Sequence, residues 1–378
     1  MRALLLITLA AAVLAAPPKW HQLKGYTFDA YMDDFGRQYK KGTPEHAKRL
    51  ALFERELALV QKHNANNAYL WKRGINHMSD WTEEEKKTLR GNKVGMKGKF
   101  SKPEKIYEAP AGPVPYQVDW RTAQPPVVSS VKNQGQCGSC WAHAATEAIE
   151  SAEAIRSGRL FVLSQQQITS CTPNPDQCGG TGGCNGAIAE LAIDYIKTVG
   201  INEEWTYGYT SGFGNSGQCF AANSSSFGNH IPMVNVSGYT LAKHNDAESV
   251  TQALAHAGPL AISVDASDWS NYESGIYHGC NYAHNISMDH AVQAVGFGFE
   301  PSLGQHYWLV RNSWSPAWGE LGYIKLIREP GQEKCGLNVD PQNGAGCRGQ
   351  TAPQWACGQC GIAFDTLFAN AAPLTPHH

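Results

Sequence analysis

Three short segments carry residue types that together can do nucleophilic chemistry: Gln134-Gly-Gln-Cys-Gly-Ser-Cys140-Trp, Met288-Asp-His290-Ala-Val and Arg311-Asn312-Ser-Trp314. Cys140 stands where a glycine-rich loop enters a helical stretch, and a helix N-terminus favours a thiolate. A thiolate alone is not a catalyst. It needs a proton partner, and His290 is the candidate general base and acid. The imidazole must be held in one orientation, which the side-chain carbonyl of Asn312 can do by accepting its distal N–H. Gln134 can donate its amide to a developing oxyanion beside the Cys140 backbone N–H. Each of these residues alone would be read as structural; their joint context lifts them.

Other chemistries compete for the same cysteines. Cys137-Gly-Ser-Cys140 has the C-x-x-C spacing of a thiol–disulfide oxidoreductase, although no thioredoxin-like context surrounds it. Cys357-Gly-Gln-Cys360 is a second such pair, and with Cys335 and Cys347 it could form a zinc site. In a secreted chain, structural disulfides are the stronger reading.

The elements around these residues change character along the chain. Residues 140–158 and 187–199 read as helices stopped by Gly158 and Gly200. Beyond Gly258 come strand-like runs, PLAISVDA, HAVQAVGFG, QHYWLVRNSW and GYIKLIRE. Helices first and strands later give an α+β class with two subdomains. Upstream, Thr43-Pro44 starts a long helix on which Glu45, Arg49, Phe53, Glu56, Val60 and Asn64 share one face. Ala51, Leu52, Leu57 and Leu59 are expected to add apolar contacts. A Pro/Gly/Ala linker, EAPAGPVP, follows at residues 108–115, and all eleven cysteines lie beyond it.

The 378 residues are 42% apolar and 17% charged, a balance that suits a packed globular protein. Met1 to Ala16, with Arg2 ahead of an apolar run and small residues at its end, reads as a secretory leader. No other stretch is long enough to span a bilayer. Asn223, Asn235 and Asn285 open Asn-X-Ser/Thr triplets. The net charge of −2 argues against a nucleic-acid binder. Yet it conceals a division: residues 17–113 carry +7 and residues 114–378 carry −10, with +1 from Arg2. The two parts should attract each other at neutral pH.

QGQCGSCWA, DHAV and RNSWSPAWGELGYI resemble the papain family of cysteine peptidases in its cathepsin L-like branch, and VDWR at Val118–Arg121 resembles that family's mature start. The long upstream helix resembles the inhibitory pro-segment pattern E-x3-R-x3-F-x2-N-x3-I-x3-N, with Glu56 and Val60 in the N and I places. Gly74-Ile-Asn76-His-Met78-Ser-Asp80 resembles the G-x-N-x-F-x-D motif, with Met for Phe. The resemblance runs from about Tyr26 to Tyr323.

It implies a signal peptide at 1–16, an inhibitory pro-segment at 17–113 and a papain-like peptidase domain at 114–378. The fold implied is a helical subdomain and a β-barrel-like subdomain with the cleft between them. Cys140 would be the nucleophile, with a thiolate of strongly depressed pKa, His290 its imidazolium partner, Asn312 the orienter and Gln134 the oxyanion donor. Trp314 would shield the His–Asn bond and Trp318 would floor the leaving-group side. The pocket for the substrate's second residue would lie among Ile188, Ala189, Ser263, Met288 and Ala291, with either Asp340 or Asp365 at its far end. An aspartate there would admit Arg or Lys beside hydrophobic residues.

By the same resemblance Cys137 pairs with Cys184 and Cys171 with Cys219. Cys280 pairs with either Cys335 or Cys360, because CGLNVDP and CGIAFDTLF fit the family's final strand about equally, as if the residues between were inserted. Cys178, Cys347 and Cys357 are left without assigned partners. Three departures stand out: His143-Ala144 for Phe-Ser, Ser315-Pro316 for Gly, and Ala187 for a Gly whose backbone pairs with substrate. The reading is a cysteine endopeptidase made as a zymogen, monomeric, without metal or cofactor, acting on proteins and peptides in a lysosome, vacuole or outside the cell. Its rivals are an inactive papain-like binding or storage protein and a thiol–disulfide oxidoreductase.

Overall fold

The computed structural model describes residues 17–91, 103–110, 113–220, 232–283 and 285–374. The expected leader and the Asn223 triplet lie outside the described residues.

The expected pro-segment, residues 17–113, forms α1 (Phe28–Asp34), α2 (Pro44–Asn64), β1 (Trp71–Arg73), α3 (Glu83–Lys87) and β2 (Lys105–Ile106). Thr43 caps α2 by accepting the His46 N–H, and Pro44 occupies the first turn where no N–H partner is needed. Its patterned face does structural work along its whole length. Arg49 pairs with Glu45 at 2.6 Å and grips both oxygens of Glu85 at 2.6 and 2.7 Å. Glu56 meets Lys86 at 3.3 Å, and Asn64 brackets the Arg73 backbone with both ends of its amide. Phe53 is buried against the rings of Tyr26, Phe28 and Tyr31. Ala51 and Leu59, expected to add apolar contacts, are instead exposed, because both turn away from the Phe53–Val60 face. Asp80 is the hub that joins α1 to the following loop, accepting from Tyr31, Tyr39 and Arg37.

The rest of the chain runs β3 (Val118–Asp119), α4 (Cys140–Ser157), α5 (Gln165–Cys171), α6 (Ala189–Val199), β4 (Asn235–Leu241), α7 (Ala247–His256), β5 (Leu260–Val264), β6 (Tyr272–Tyr277), β7 (His290–Glu300), β8 (Gln305–Arg311), β9 (Tyr323–Arg328), β10 (Cys335–Asn338), β11 (Gln354–Cys357) and β12 (Thr366–Ala372). The helices α4, α5 and α6 pack on one apolar cluster. The strands form a mixed sheet in the order β1-β6-β9-β8-β7-β5-β12-β4-β2, with β3 beside β7. All four strand-like runs in the sequence become strands, and both helical runs become helices. Among the described residues β10 and β11 pair only with each other. Asn235 is buried in β4, its Oδ1 accepting the Val236 N–H, a position closed to a glycan; Asn285 is exposed.

The pro-segment adds to this sheet at both ends. β1 pairs antiparallel with β6, and β2 pairs parallel with β4. Met78 enters the aromatic cluster of Trp269, Tyr272 and Trp318, and Asn76 donates to the Ser270 carbonyl at 2.7 Å. Among the described residues one ion pair crosses this seam, Arg90–Asp289 at 3.2 Å. The opposite charges of the two parts therefore act as a field rather than as a set of contacts, and apolar packing and backbone pairing hold the seam.

Phe53→Ala removes the ring under three aromatic neighbours and should destabilise the pro-segment by about 3–5 kcal/mol. Calorimetry of the full chain should show a pro-segment transition lowered by about 10 °C or more. An unchanged melt would contradict this packing role.

Candidate active site

Cys140 is the first residue of α4 and is fully buried. His290 opens β7 and Asn312 follows the end of β8, so a helix and two neighbouring strands from opposite subdomains bring the three together. The backbone N–H of Ala291, next to His290, faces the Cys140 sulfur and favours its ionisation, so the start of β7 lies against the start of α4. His290 Nε2 lies 2.8 Å from Asn312 Oδ1, while Nδ1 has no hydrogen-bond partner and is left for the thiol. Trp314 lies over the imidazole at 4.8 Å between ring centroids and closes that bond off from water. Trp318 sits edge-on to Trp314 and stacks on Trp269.

A buried arginine ties the strand side to the helix. Arg311, the last residue of β8, reaches Glu147 of α4 at 3.3 Å and donates to the Ser129 carbonyl at 2.7 Å. It thereby fixes Asn312 relative to the helix that carries Cys140. Neither Arg311 nor Glu147 stood out in the sequence as a positioning pair, since each is an ordinary charged residue until its burial is seen.

Gln134 Oε1 accepts from Ser313, which turns the amide N–H groups toward the site. Nε2 donates to the carbonyl of Leu89 at 2.8 Å and to that of Cys137 at 2.7 Å. Leu89 lies within the stretch 17–113 expected to be the pro-segment. Two residues on, the Gly91 N–H donates to the Cys140 sulfur at 3.2 Å. A Cβ on Gly186 would overlap the Gly91 carbonyl, so the pro-segment backbone fills the groove floor along this line.

That closure sets the electrostatics. Burial pushes the Cys140 thiol up to about 11, against the pull of the Ala291, Gly91 and Trp141 N–H groups. Burial pushes His290 down to about 4, although its bond to Asn312 favours the charged form. In this closed form the depressed thiolate pKa expected from the resemblance is opposed, because burial disfavours both charges, Asp289 opposes the thiolate and Arg90 the imidazolium. His143 is also buried, with Nδ1 at 2.9 Å from the Ser139 carbonyl and its ring edge-on to Tyr209. Burial drops it to about 3, so it packs as a neutral side chain.

Of the residues expected around the second-residue pocket, Ile188, Ala189, Ser263, Met288 and Ala291 are all buried. Ser263 donates to Asp365 Oδ2 at 2.8 Å, so of the two candidate aspartates Asp365 lies beside this expected set, while Asp340 is exposed beyond β10. The sequence reading missed Glu190. It lies in the first turn of α6, is buried, and its carboxyl is close enough to Asp365 to share a proton. Burial raises both carboxyls; the charge of Asp365 opposes ionisation of Glu190 further, while bonds from Ser263 and Glu190 favour the charged form of Asp365. Its place two residues after Ile188 was the available signal.

The sulfurs pair as Cys137–Cys184, Cys171–Cys219, Cys178–Cys347, Cys280–Cys360 and Cys335–Cys357, leaving Cys140 free. The choice for Cys280 therefore falls on Cys360, and CGIAFDTLF leads into the final strand. With Cys137 tied to Cys184, Cys137 and Cys140 are no redox couple. Among the described residues no cluster of His, Cys, Asp or Glu could hold a metal ion, and no helix is long and apolar enough to cross a membrane.

Known proteins match both parts of the chain. Residues 114–344 match the papain family cysteine protease model and residues 28–85 match the cathepsin propeptide inhibitor domain. Digestive cysteine proteinase 3 of Homarus americanus is 34% identical, covering 90% of this chain and 98% of its own length. Procathepsin L of Mus musculus is 32% identical over 88% and 96%. Among solved structures, digestive procathepsin L 3 of Tenebrio molitor larval midgut has a TM-score of 0.69 and 28% identity, covering 93% of this chain and 97% of that one. With a matching peptidase domain, a matching inhibitory propeptide and α+β subdomains flanking the cleft, the chain belongs to the papain family as a cathepsin L-like cysteine endopeptidase in zymogen form.

Proposed function

We propose that Cys140 and His290 hydrolyse peptide bonds as a thiolate–imidazolium pair once residues 17–113 have left the peptidase domain 114–378. The observation that carries this is the His290 Nε2–Asn312 Oδ1 bond beside a lone free cysteine at a helix N-terminus. The sulfur attacks the scissile carbonyl carbon and the C–S bond forms as the oxygen gains charge. Gln134 Nε2 and the Cys140 N–H stabilise that oxygen. His290 gives its proton to the leaving amine and the C–N bond breaks, leaving a thioester. Water then attacks the thioester, His290 takes its proton, and the thiolate departs with the acid released. Trp314 keeps the His290–Asn312 bond dry, and Trp318 backs the leaving-group side.

In the zymogen the pro-segment presents backbone at the same points: the Leu89 carbonyl takes the Gln134 donor and the Gly91 N–H takes the sulfur. Five disulfides and the N-terminal leader support work in the secretory pathway, in a lysosome or vacuole or outside the cell. The enzyme is read as a monomer acting on proteins and peptides without metal or cofactor. Nucleic acid and membranes are not among its partners.

Purified mature Cys140→Ala and His290→Ala proteins should each lose roughly 10³-fold or more in kcat/KM. Cleavage surviving intact in Cys140→Ala protein would overturn the assignment.

Acid should open the zymogen through histidines. His63 and His77 of the pro-segment and His290 of the enzyme are each lowered to about 4 by burial, and His278 is lowered for the same reason. Each binds a proton more readily once released, so the closed form loses stability as pH falls from about 6.5 to 4. Asp289, raised to about 7 by burial, and Glu273, raised by burial beneath Trp20, work the other way, and the four histidines outnumber them. Processing followed by gel should accelerate across that window and slow in His77→Phe protein. A rate unchanged between neutral pH and pH 4 (about the lowered histidine values) would contradict this.

The paired carboxyls Glu190 and Asp365 support acceptance of Arg or Lys as the second residue, beside hydrophobic ones. Raising the pH removes their proton, so the basic-to-hydrophobic preference should rise with pH. A fluorogenic panel varying only that residue should show this, and Asp365→Asn should abolish it. No cleavage of basic members at any pH would refute the pocket assignment.

A further inference from the structure

The stretch between β10 and β11 crosses the cleft. On the sheet side, the Ser287 hydroxyl donates to the Asn343 carbonyl at 3.1 Å. Gly344 lies so close to Met288 that a Cβ on it would stand 2.9 Å from the Met288 oxygen. On the helical side, the Gly179 N–H donates to the Gly346 carbonyl at 3.1 Å and the Arg348 N–H to the Asp176 carbonyl at 3.4 Å. Cys347 is bonded to Cys178. Ala345 touches both the Cys178–Ile188–Cys347 cluster and the Ile286–Met288–Ala356 cluster.

Met288 and Ile188 stand on opposite walls of the groove at the second-residue pocket. Residues 344–348 therefore run from wall to wall, and a covalent bond fixes their far end. The other four disulfides each join cysteines of one subdomain; Cys178–Cys347 joins the two. The strap also roofs a cavity of about 200 Å³ that Glu190 and Asp365 line together with Ala345, Gly346, Gln350 and Gln354. The match to the family's peptidase model ends at residue 344, within the strap.

The substrate-facing edge runs through Gly186 and Ala187. Gly179 abuts the Ala187 carbonyl and the Ile188 side chain, and Gly180 abuts the Asn185 and Gly186 carbonyls. The strap is bonded to this same loop. An extended peptide advances about 3.3 Å per residue, so one residue past the second subsite brings it to the strap.

We propose that residues 344–348 close the non-primed end of the cleft just beyond the second subsite. The enzyme then reads two residues on the amino side of the scissile bond and gains nothing from a third or fourth. A longer chain must turn out of the groove after the second residue, which loops and exposed termini do more easily than strands. This rests on the cysteine-peptidase reading above.

The test is a series of blocked fluorogenic substrates carrying two, three or four residues before the leaving group, with the last two held constant. With mature enzyme, kcat/KM should stay within about threefold across the series or fall with length. In the Cys178→Ser/Cys347→Ser protein, which lacks the latch, the three- and four-residue substrates should gain tenfold or more over the two-residue one. A tenfold preference of the unaltered enzyme for four residues over two would overturn the proposal, whether or not the double variant folds. Equal length profiles in the two folded proteins would overturn the latch. Titration of Cys140 with an epoxide inhibitor separates the two levels: labelled enzyme with a steep length dependence defeats the strap alone. Unlabelled enzyme defeats the peptidase reading and the strap with it.

Discussion

Two groups that must be charged to react are held where charge is costly. Cys140 and His290 have no exposed surface in the zymogen, and burial favours the neutral thiol and the neutral imidazole over the ion pair. Two peptide groups of the pro-segment, at Leu89 and Gly91, help close the groove over them, and Trp314 and Trp269 cover the imidazole. The remainder of the pro-segment holds them in place: Asp80 ties α1 to the loop, Arg49 ties α2 to α3, and Met78 plugs the aromatic cluster beside the cleft. Latency is then electrostatic as well as steric, since the closed groove both blocks substrate and withdraws the solvent that would support the ion pair.

The cleft depends on two subdomains keeping one register. Arg311 and Glu147 bind the strand carrying Asn312 to the helix carrying Cys140, and the Arg311 side chain also donates to the Ser129 carbonyl. Both contacts are buried, so a slip of either wall would leave a charge or a donor without its partner. The Cys178–Cys347 bond adds a covalent tie at the second-residue pocket. Shape at that end of the groove is thus fixed by a loop rather than by the sheet or the helices.

Much of this was legible in the sequence where residue type and spacing act together. The α2 face showed itself through three- and four-residue spacing, and every position from Glu45 to Asn64 on it has a partner in the structure. Cys140, His290 and Asn312 were found because three motifs agreed. Long-range geometry was not legible. CGLNVDP and CGIAFDTLF are nearly interchangeable as strings, and only the fold distinguishes the hairpin strand at Cys335 from the cysteine at Cys360 that Cys280 reaches. Glu190 looked like an ordinary first-turn acid of a helix; its burial against Asp365 depends on a strand more than a hundred residues away. The whole-chain charge divided correctly into a basic and an acidic part, yet one direct ion pair crosses the seam among the described residues. Charge sums describe fields, not contacts.

The central claim is that the pro-segment holds Cys140 and His290 uncharged and that its departure lets them ionise. Thiolate ultraviolet absorbance, taken as the difference between the native protein and Cys140→Ala and followed with pH, reads this directly in both zymogen and mature enzyme. The account predicts no Cys140 thiolate in the zymogen until strongly alkaline pH, and a thiolate already present at mildly acid pH in the mature enzyme. A thiolate signal of equal size and equal midpoint in the two forms would contradict it.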